Sequence, residues 1–154
     1  MTAAPPVIEV RRVRDRAELE AALALREAVF AGEQGVAPAA DRDGRDDEAI
    51  QLVAVGEGGE VVGTCRLLLD GRPSGTARFG RLCVRGDARR RGIAAALLAA
   101  AEREARAAGA GRIGMHAQTS ALRLYLDAGY ASYGDPFDEE GIEHLGMEKW
   151  LADA

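Results

Sequence analysis

Chemistry concentrates in one segment, Arg81-Leu82-Cys83-Val84-Arg85-Gly86-Asp87-Ala88-Arg89-Arg90-Arg91-Gly92-Ile93-Ala94-Ala95-Ala96-Leu97-Leu98. An apolar strand end runs into an arginine-rich turn, and the turn runs straight into an alanine-rich helix. The start of a helix carries backbone N–H groups with no intrahelical acceptor and a partial positive charge, so it seats anions, phosphate above all. Gly92 and the small Ala94 let a ligand come close to the main chain. Arg89, Arg90 and Arg91 add forked donors that suit phosphate oxygens. The pattern is that of a seat for a pyrophosphate-bearing cofactor. It has neither the Gly-x4-Gly-Lys-Ser/Thr spacing of a nucleotide P-loop nor the Gly-x-Gly-x-x-Gly of a dinucleotide fold. Taken alone, the turn reads equally well as a solvated basic cap on a helix.

The elements that must position this segment follow from periodicity. Val7 to Val13 alternates as a strand. Asp15 stands as a helix N-cap with Glu18 as its capping-box partner, and Leu19, Leu23, Arg26-Glu27 and Phe30 recur at helical spacing until Gly32. A loop from Glu33 to Glu48 contains the acidic run Asp41-Arg42-Asp43-Gly44-Arg45-Asp46-Asp47-Glu48, read mainly as a solvated face. Strands are expected over Ile50–Val55, Val61–Leu69 and Thr76–Val84, joined by glycine-rich turns. The long helix covers Gly92–Ala108 with Ile93, Leu97, Ala101, Ala105 and Ala108 on one face, and Gly109 and Gly111 stop it. Then come a strand over Arg112–Gln118, a short helix over Ser120–Ala128, and strands over Ala131–Phe137 and His144–Leu151. This order gives an α/β (α+β) domain with a mixed central sheet of about seven strands and flanking helices. It spans residues 7–154 behind a flexible lead-in, residues 1–6. A hairpin turning at Ser74 would set Cys65 and Cys83 opposite each other, each nine residues from the turn. They read as buried, reduced thiols, and no Cys/His spacing suggests a metal.

Composition narrows the partners. A net charge of −5 over 154 residues argues against nucleic acid, whose phosphates call for a basic face. No run approaches the ~18 apolar residues of a membrane span. The start, Met1-Thr2-Ala3-Ala4-Pro5-Pro6, lacks the basic and apolar regions of a signal peptide, so a cytoplasmic location is expected.

Arg89-x-x-Gly92-x-Ala94 fits the Arg/Gln-x-x-Gly-x-Gly/Ala signature of the GNAT superfamily of acyl-CoA-dependent N-acetyltransferases, which this chain resembles. Ala121-Leu122-Arg123-Leu124-Tyr125-Leu126-Asp127-Ala128-Gly129-Tyr130 looks like the GNAT segment in which a Leu-Tyr pair precedes Gly-Phe or Gly-Tyr. Four further pieces, Val29–Val36, Asp43–Ala49, His116–Gln118 and Phe137–Met147, resemble the ElaA-like branch, in the right order and covering most of the chain. Departures are Gln51 where a histidine is common, Glu143 where a proline is common, and Gln118 where an Asn commonly begins its segment.

The resemblance implies acetyl-CoA as cofactor. Its pantetheine arm would pair with the backbone of Leu82, Cys83 and Val84, Arg89–Ala94 would hold its diphosphate, and Gln118 could hydrogen-bond it. Tyr125 would sit near the sulfur and protonate the leaving thiolate. The implied reaction is direct transfer of an acetyl group to a primary amine of a small molecule or peptide, with no covalent enzyme intermediate. Glu33, His116, Glu140 and His144 are candidates to take the amine's proton, with Glu33 preferred. Glu33, Gln34, His116 and His144 are expected on the acceptor side. A non-catalytic acyl-CoA binder would keep Arg89–Ala94 without needing Tyr125. The last strands offer an edge through which such proteins often dimerise.

Overall fold

Alternating strands need a partner for each backbone edge, and here seven of them close into one sheet in the order β1-β2-β3-β4-β5-β7-β6. The computed structural model describes residues 8–37, 41–72 and 74–151. The strands are β1 Glu9–Arg12, β2 Ile50–Val55, β3 Val61–Leu69, β4 Thr76–Val84, β5 Arg112–Gln118, β6 Ala131–Glu139 and β7 Ile142–Trp150. The first strand is shorter than the alternation from Val7 to Val13 suggests; Val7 and the lead-in of residues 1–6 lie outside the described residues. All pairings are antiparallel except β4 with β5, which are parallel. The mixed seven-strand sheet with helices packed on it is the architecture expected from the element order.

Among the described residues three α-helices flank the sheet: α1 Arg16–Arg26, α2 Ile93–Ala107 and α3 Leu122–Asp127. Asp15 caps α1 by accepting from the Glu18 N–H at 2.9 Å. The reciprocal contact misses by one residue: the Glu18 carboxylate accepts from the Arg14 N–H at 2.8 Å and from the Arg11 guanidinium at 2.6 Å. Past Arg26 the helix widens into a π-helical stretch, Glu27–Glu33. The two faces of β2 show why both sides are filled. Leu52 and Ala54 join the main core with Leu97, Ala101 and Ala105 of α2, whereas Val53 and Val55 pack with Ala22 of α1. Ala108, expected on the buried face of α2, lies past the last turn and is exposed. Within the expected loop before β2, Asp46–Glu48 form a short 3₁₀ turn.

Two irregularities matter below. In the β3–β4 pair, Arg66 faces Gly80 and Thr64 faces Cys83, so Cys65 alone opposes both Arg81 and Leu82. This is a bulge, and Arg81 takes a left-handed φ of 54° there. The hairpin expectation is corrected as well: Leu69 pairs with Ala77, so the chain turns one position ahead of Ser74, and even with the extra residue Cys83 faces Thr64 rather than Cys65. Both cysteines are nevertheless free and buried. On the outer strand β6, the ladder to β7 is interrupted between Tyr133 and Phe137.

Candidate active site

β4 and β5 pair only over Thr76–Arg78 with Arg112–Gly114. Beyond that point the bulge turns β4 away and the two strands diverge, leaving their facing backbone edges without a β-ladder. Leu82, Cys83 and Val84 lie in this divergent part. A non-glycine residue in the left-handed region, as at Arg81, costs energy that the surroundings must offset, and such strain gathers at functional sites.

The divergent end of β4 runs into the turn singled out in the sequence. A short 3₁₀ turn over Gly86–Ala88 is fastened by an Arg85–Asp87 contact of 2.5 Å. Arg89 donates from Nε to the Val84 carbonyl at 2.9 Å and pairs with the Glu33 carboxylate at 2.9 Å. Arg90 and Gly92 both have positive φ, 65° and 77°. A Cβ on Gly92 would meet nothing within 4 Å, so glycine answers a backbone demand and leaves space above it. The first helical bond runs from Ala96 N–H to the Gly92 carbonyl at 3.0 Å. The N–H groups of Ile93, Ala94 and Ala95 therefore have no intrahelical acceptor. No side chain caps them, and the first turn has no acidic residue. Arg90 and Arg91 stand exposed beside them. A diphosphate fits this donor set.

On the α1 face of the sheet lies a cavity of about 410 Å³, walled by Phe30 and Gln34 from the end of the π-helix, Leu82 from β4, and His116, Gln118 and His144 from β5 and β7. The register explains the gathering, since Gln118 faces His144 and His144 faces Phe137. His116 Nδ1 lies 3.2 Å from Glu139 Oε1, and His144 Nε2 lies 3.6 Å from Glu139 Oε2. His144 Nδ1 donates to the Ile142 carbonyl at 2.7 Å, which fixes its tautomer and turns Nε2 toward Glu139. Phe137 stacks on His144 and meets His116 edge-on. Gln118 Nε2 donates to Gln34 Oε1 at 2.8 Å, closing the cavity on the helix side.

Not every expected residue meets here. Glu33, preferred as proton acceptor, is held by Arg89 and does not line the cavity; the guanidinium of the phosphate turn takes its carboxylate. Tyr125 is buried on the opposite, core side, edge-on to Phe79 and Tyr130. Its hydroxyl makes no hydrogen bond among the described residues, and burial pushes its pKa up, so the phenol keeps its proton. Burial likewise pushes the Cys83 thiol up to about 12, and Cys65 higher still, so both stay protonated.

Two members of the acidic run turn inward, Asp41 buried and Asp46 half-buried, while Arg42, Asp43, Arg45, Asp47 and Glu48 stay exposed. Arg26, 1% exposed, binds Asp41 at 3.1 Å and Asp46 at 2.6 Å. Arg66 binds Asp43 at 2.5 Å and Asp46 at 3.2 Å, and Arg81 reaches Asp41 at 3.3 Å and Asp43 at 3.4 Å. Gln51, which departs from the histidine common in the ElaA-like branch, donates to Asp46 at 3.0 Å. The Arg66 hydrogen bonds hold Asp43 well below the carboxylate range. Burial works to raise Asp46, and hydrogen bonds from Arg26 and Gln51 overcome it. These aspartates are spent on fastening the loop over the cavity and on the Arg81 bulge, so they are not a lure for cations. Glu139 and Arg78, both lining the cavity, escaped the sequence reading. The signal for Glu139 was its place at the tip of a hairpin whose return strand carries His144.

A family model described as an acetyltransferase (GNAT) domain matches residues 17–151. A crystal structure of a Lactobacillus plantarum protein, 32% identical, superposes with a TM-score of 0.84 over 94% of this chain and 99% of that one. Escherichia coli ElaA, 22% identical, gives a TM-score of 0.79 over 94% and 99%, a likeness of fold. An aminoglycoside 6'-N-acetyltransferase solved with coenzyme A, 14% identical, shares the fold at a TM-score of 0.76 over 95% and 98%. No helix among the described residues is long and apolar enough to cross a membrane. The chain belongs to the GNAT family of acetyltransferases.

Proposed function

We propose that this protein is a cytoplasmic N-acetyltransferase that moves the acetyl group directly onto a primary amine of a small molecule or peptide. One observation carries the proposal: β4 pairs with β5 only over Thr76–Arg78, and its unpaired remainder runs from Leu82, which lines the cavity with His116, His144 and Glu139, to the turn that opens α2. Acetyl-CoA supplies an activated thioester. Backbone groups of Leu82, Cys83 and Val84 would align its arm, Arg89–Ala94 would hold its diphosphate, and an N–H of the divergent strand would polarise the carbonyl. His116, His144 and Glu139 would take the amine's proton, directly or through water, with Glu140 beside them. Glu33 then serves by holding Arg89 against the end of the π-helix. Tyr125, a phenol kept protonated by burial, would deliver a proton to the leaving thiolate.

The test is coenzyme A release with a panel of amines, compared between the wild type and Tyr125→Phe. Release should fall about 100-fold in the variant, while acetyl-CoA raises the melting temperature of both proteins equally. An unchanged rate removes Tyr125 from the reaction. Binding of acetyl-CoA with no release from any amine would favour an acyl-CoA-binding protein without catalysis.

A further inference from the structure

Four guanidinium groups line the cavity: Arg45, Arg66, Arg78 and Arg81. Three are engaged: Arg45 with Glu48 at 2.5 Å, Arg66 with Asp43 and Asp46, and Arg81 with Asp41 and Asp43. Arg78 has no ion pair or hydrogen bond among the described residues. Its place on the sheet explains why. Ala77 and Phe79 turn into the core, so Arg78 stands on the cavity face, and its cross-strand neighbours are Leu68 and Gly114. Along its own strand, Thr76 and Gly80 share that face. None of these four can supply a carboxylate.

The opposite wall carries the complementary charge. Asp41 and Asp43 are consumed by arginines, which leaves Glu139 between the two histidines and Glu140 beside it. Glu139 pairs with Ile142 across a two-residue turn, Glu140-Gly141, in which both φ values are positive, 53° and 75°. Turns of this kind favour Asn or Asp before the glycine, because a longer side chain is strained in the left-handed region. A glutamate there, facing the cavity, is the residue that turn chemistry alone would not select.

We propose that the acceptor is a primary amine that also carries an anionic group, with Arg78 receiving the anion and the Glu139–Glu140 hairpin receiving the ammonium end. This rests on the acetyl-transfer reading above and names its substrate class. The shared chemistry is an amine and an anion on one small molecule, whether the anion is a carboxylate or a phosphonate-like group. A cavity of 410 Å³ is large enough for either. Purely cationic amines gain the hairpin and meet an unneutralised Arg78, so they are poor acceptors.

The experiment measures coenzyme A release with ω-amino acids from glycine to 6-aminohexanoate, each beside its carboxamide, together with diglycine, 3-aminopropylphosphonate and putrescine. The best acid should exceed its carboxamide in kcat/KM by about 10- to 100-fold, the worth of a charge-assisted hydrogen bond. Diglycine separates a peptide source from a free amino acid, and the phosphonate separates the two anion types. In Arg78→Ala the acid-to-amide ratio should collapse at least tenfold. The melting temperature should stay put, because Arg78 holds nothing in the folded chain. Equal rates for acids and carboxamides, or a ratio untouched by Arg78→Ala, overturn the proposal while leaving acetyl transfer intact. No release from any amine, with acetyl-CoA still binding, overturns both.

Discussion

Replacing Arg26 with methionine asks whether the loop over the cavity is held by charge. Arg26 donates to Asp46 at 2.6 Å, to the Asp41 carboxylate at 3.1 Å and to the Asp41 carbonyl at 2.9 Å. Methionine fills a similar volume without donors. Asp41, 4% exposed, would keep only Arg81 at 3.3 Å among its described cations. Asp46 would keep Arg66 at 3.2 Å and Gln51 at 3.0 Å. Breaking a buried pair from one side costs about 3–5 kcal/mol, mostly from the charge left behind. Because each aspartate retains a second partner, the lower end applies, about 3 kcal/mol. At about 2–4 °C per kcal/mol for a domain of this size, the melting temperature should fall by roughly 6–12 °C. Circular dichroism melts and urea titrations of the wild type, Arg26→Met and Arg26→Met/Asp41→Asn measure this. The double variant should recover at least about 1 kcal/mol, since it removes a stranded charge. A loss under about 1 kcal/mol in the single variant would refute the claim that these charges are dry and mutually dependent.

Two further outcomes are expected. Glu18 is held by Arg11, and then by the Arg14 N–H, from its ordinary 4.5 down to about 2. A depressed carboxyl contributes stability above its unfolded pKa and loses it as pH falls through the folded one. Glu18→Gln should therefore flatten the melting-temperature profile between pH 4.5 and 2 relative to the wild type; parallel profiles would count against it. Cys65 and Cys83 should resist a thiol reagent in the native protein near neutral pH and react together once urea unfolds the chain. Fast labelling of either in the native state would contradict their burial.

Local rules were legible where local chemistry decides. Asp15 before an apolar helix period and glycine after α2 fixed helix ends, and glycine-rich turns between apolar runs located β2, β3 and β4. The seat at α2 was visible because its donors are backbone groups, which sequence position alone assigns. What stayed hidden depends on distant partners. The β3–β4 register rests on a turn centred one position ahead of Ser74 and on the bulge at Arg81, neither of which symmetric counting about Ser74 could show. The inward turn of Asp41 and Asp46 stayed hidden because their cations, Arg26, Arg66 and Arg81, come from three separate elements. Glu33 looked available until the fold brought Arg89, 56 residues away, against it. Only strand register joins His116, His144 and Glu139.

The outer rim of β6 has its own consequence. Gly134, Asp135 and Pro136 fall inside the break in its ladder, and proline has no N–H to offer a neighbour. A second molecule laid along this rim would find its bonding interrupted at mid-length. In an antiparallel arrangement centred on Phe137, Asp135 of each molecule would also face Glu139 of the other, like charge against like. Self-templated stacking of sheets is thus blocked from that side, and any dimer formed there must seat side chains such as the exposed Tyr133 and Trp150 instead of lengthening the sheet.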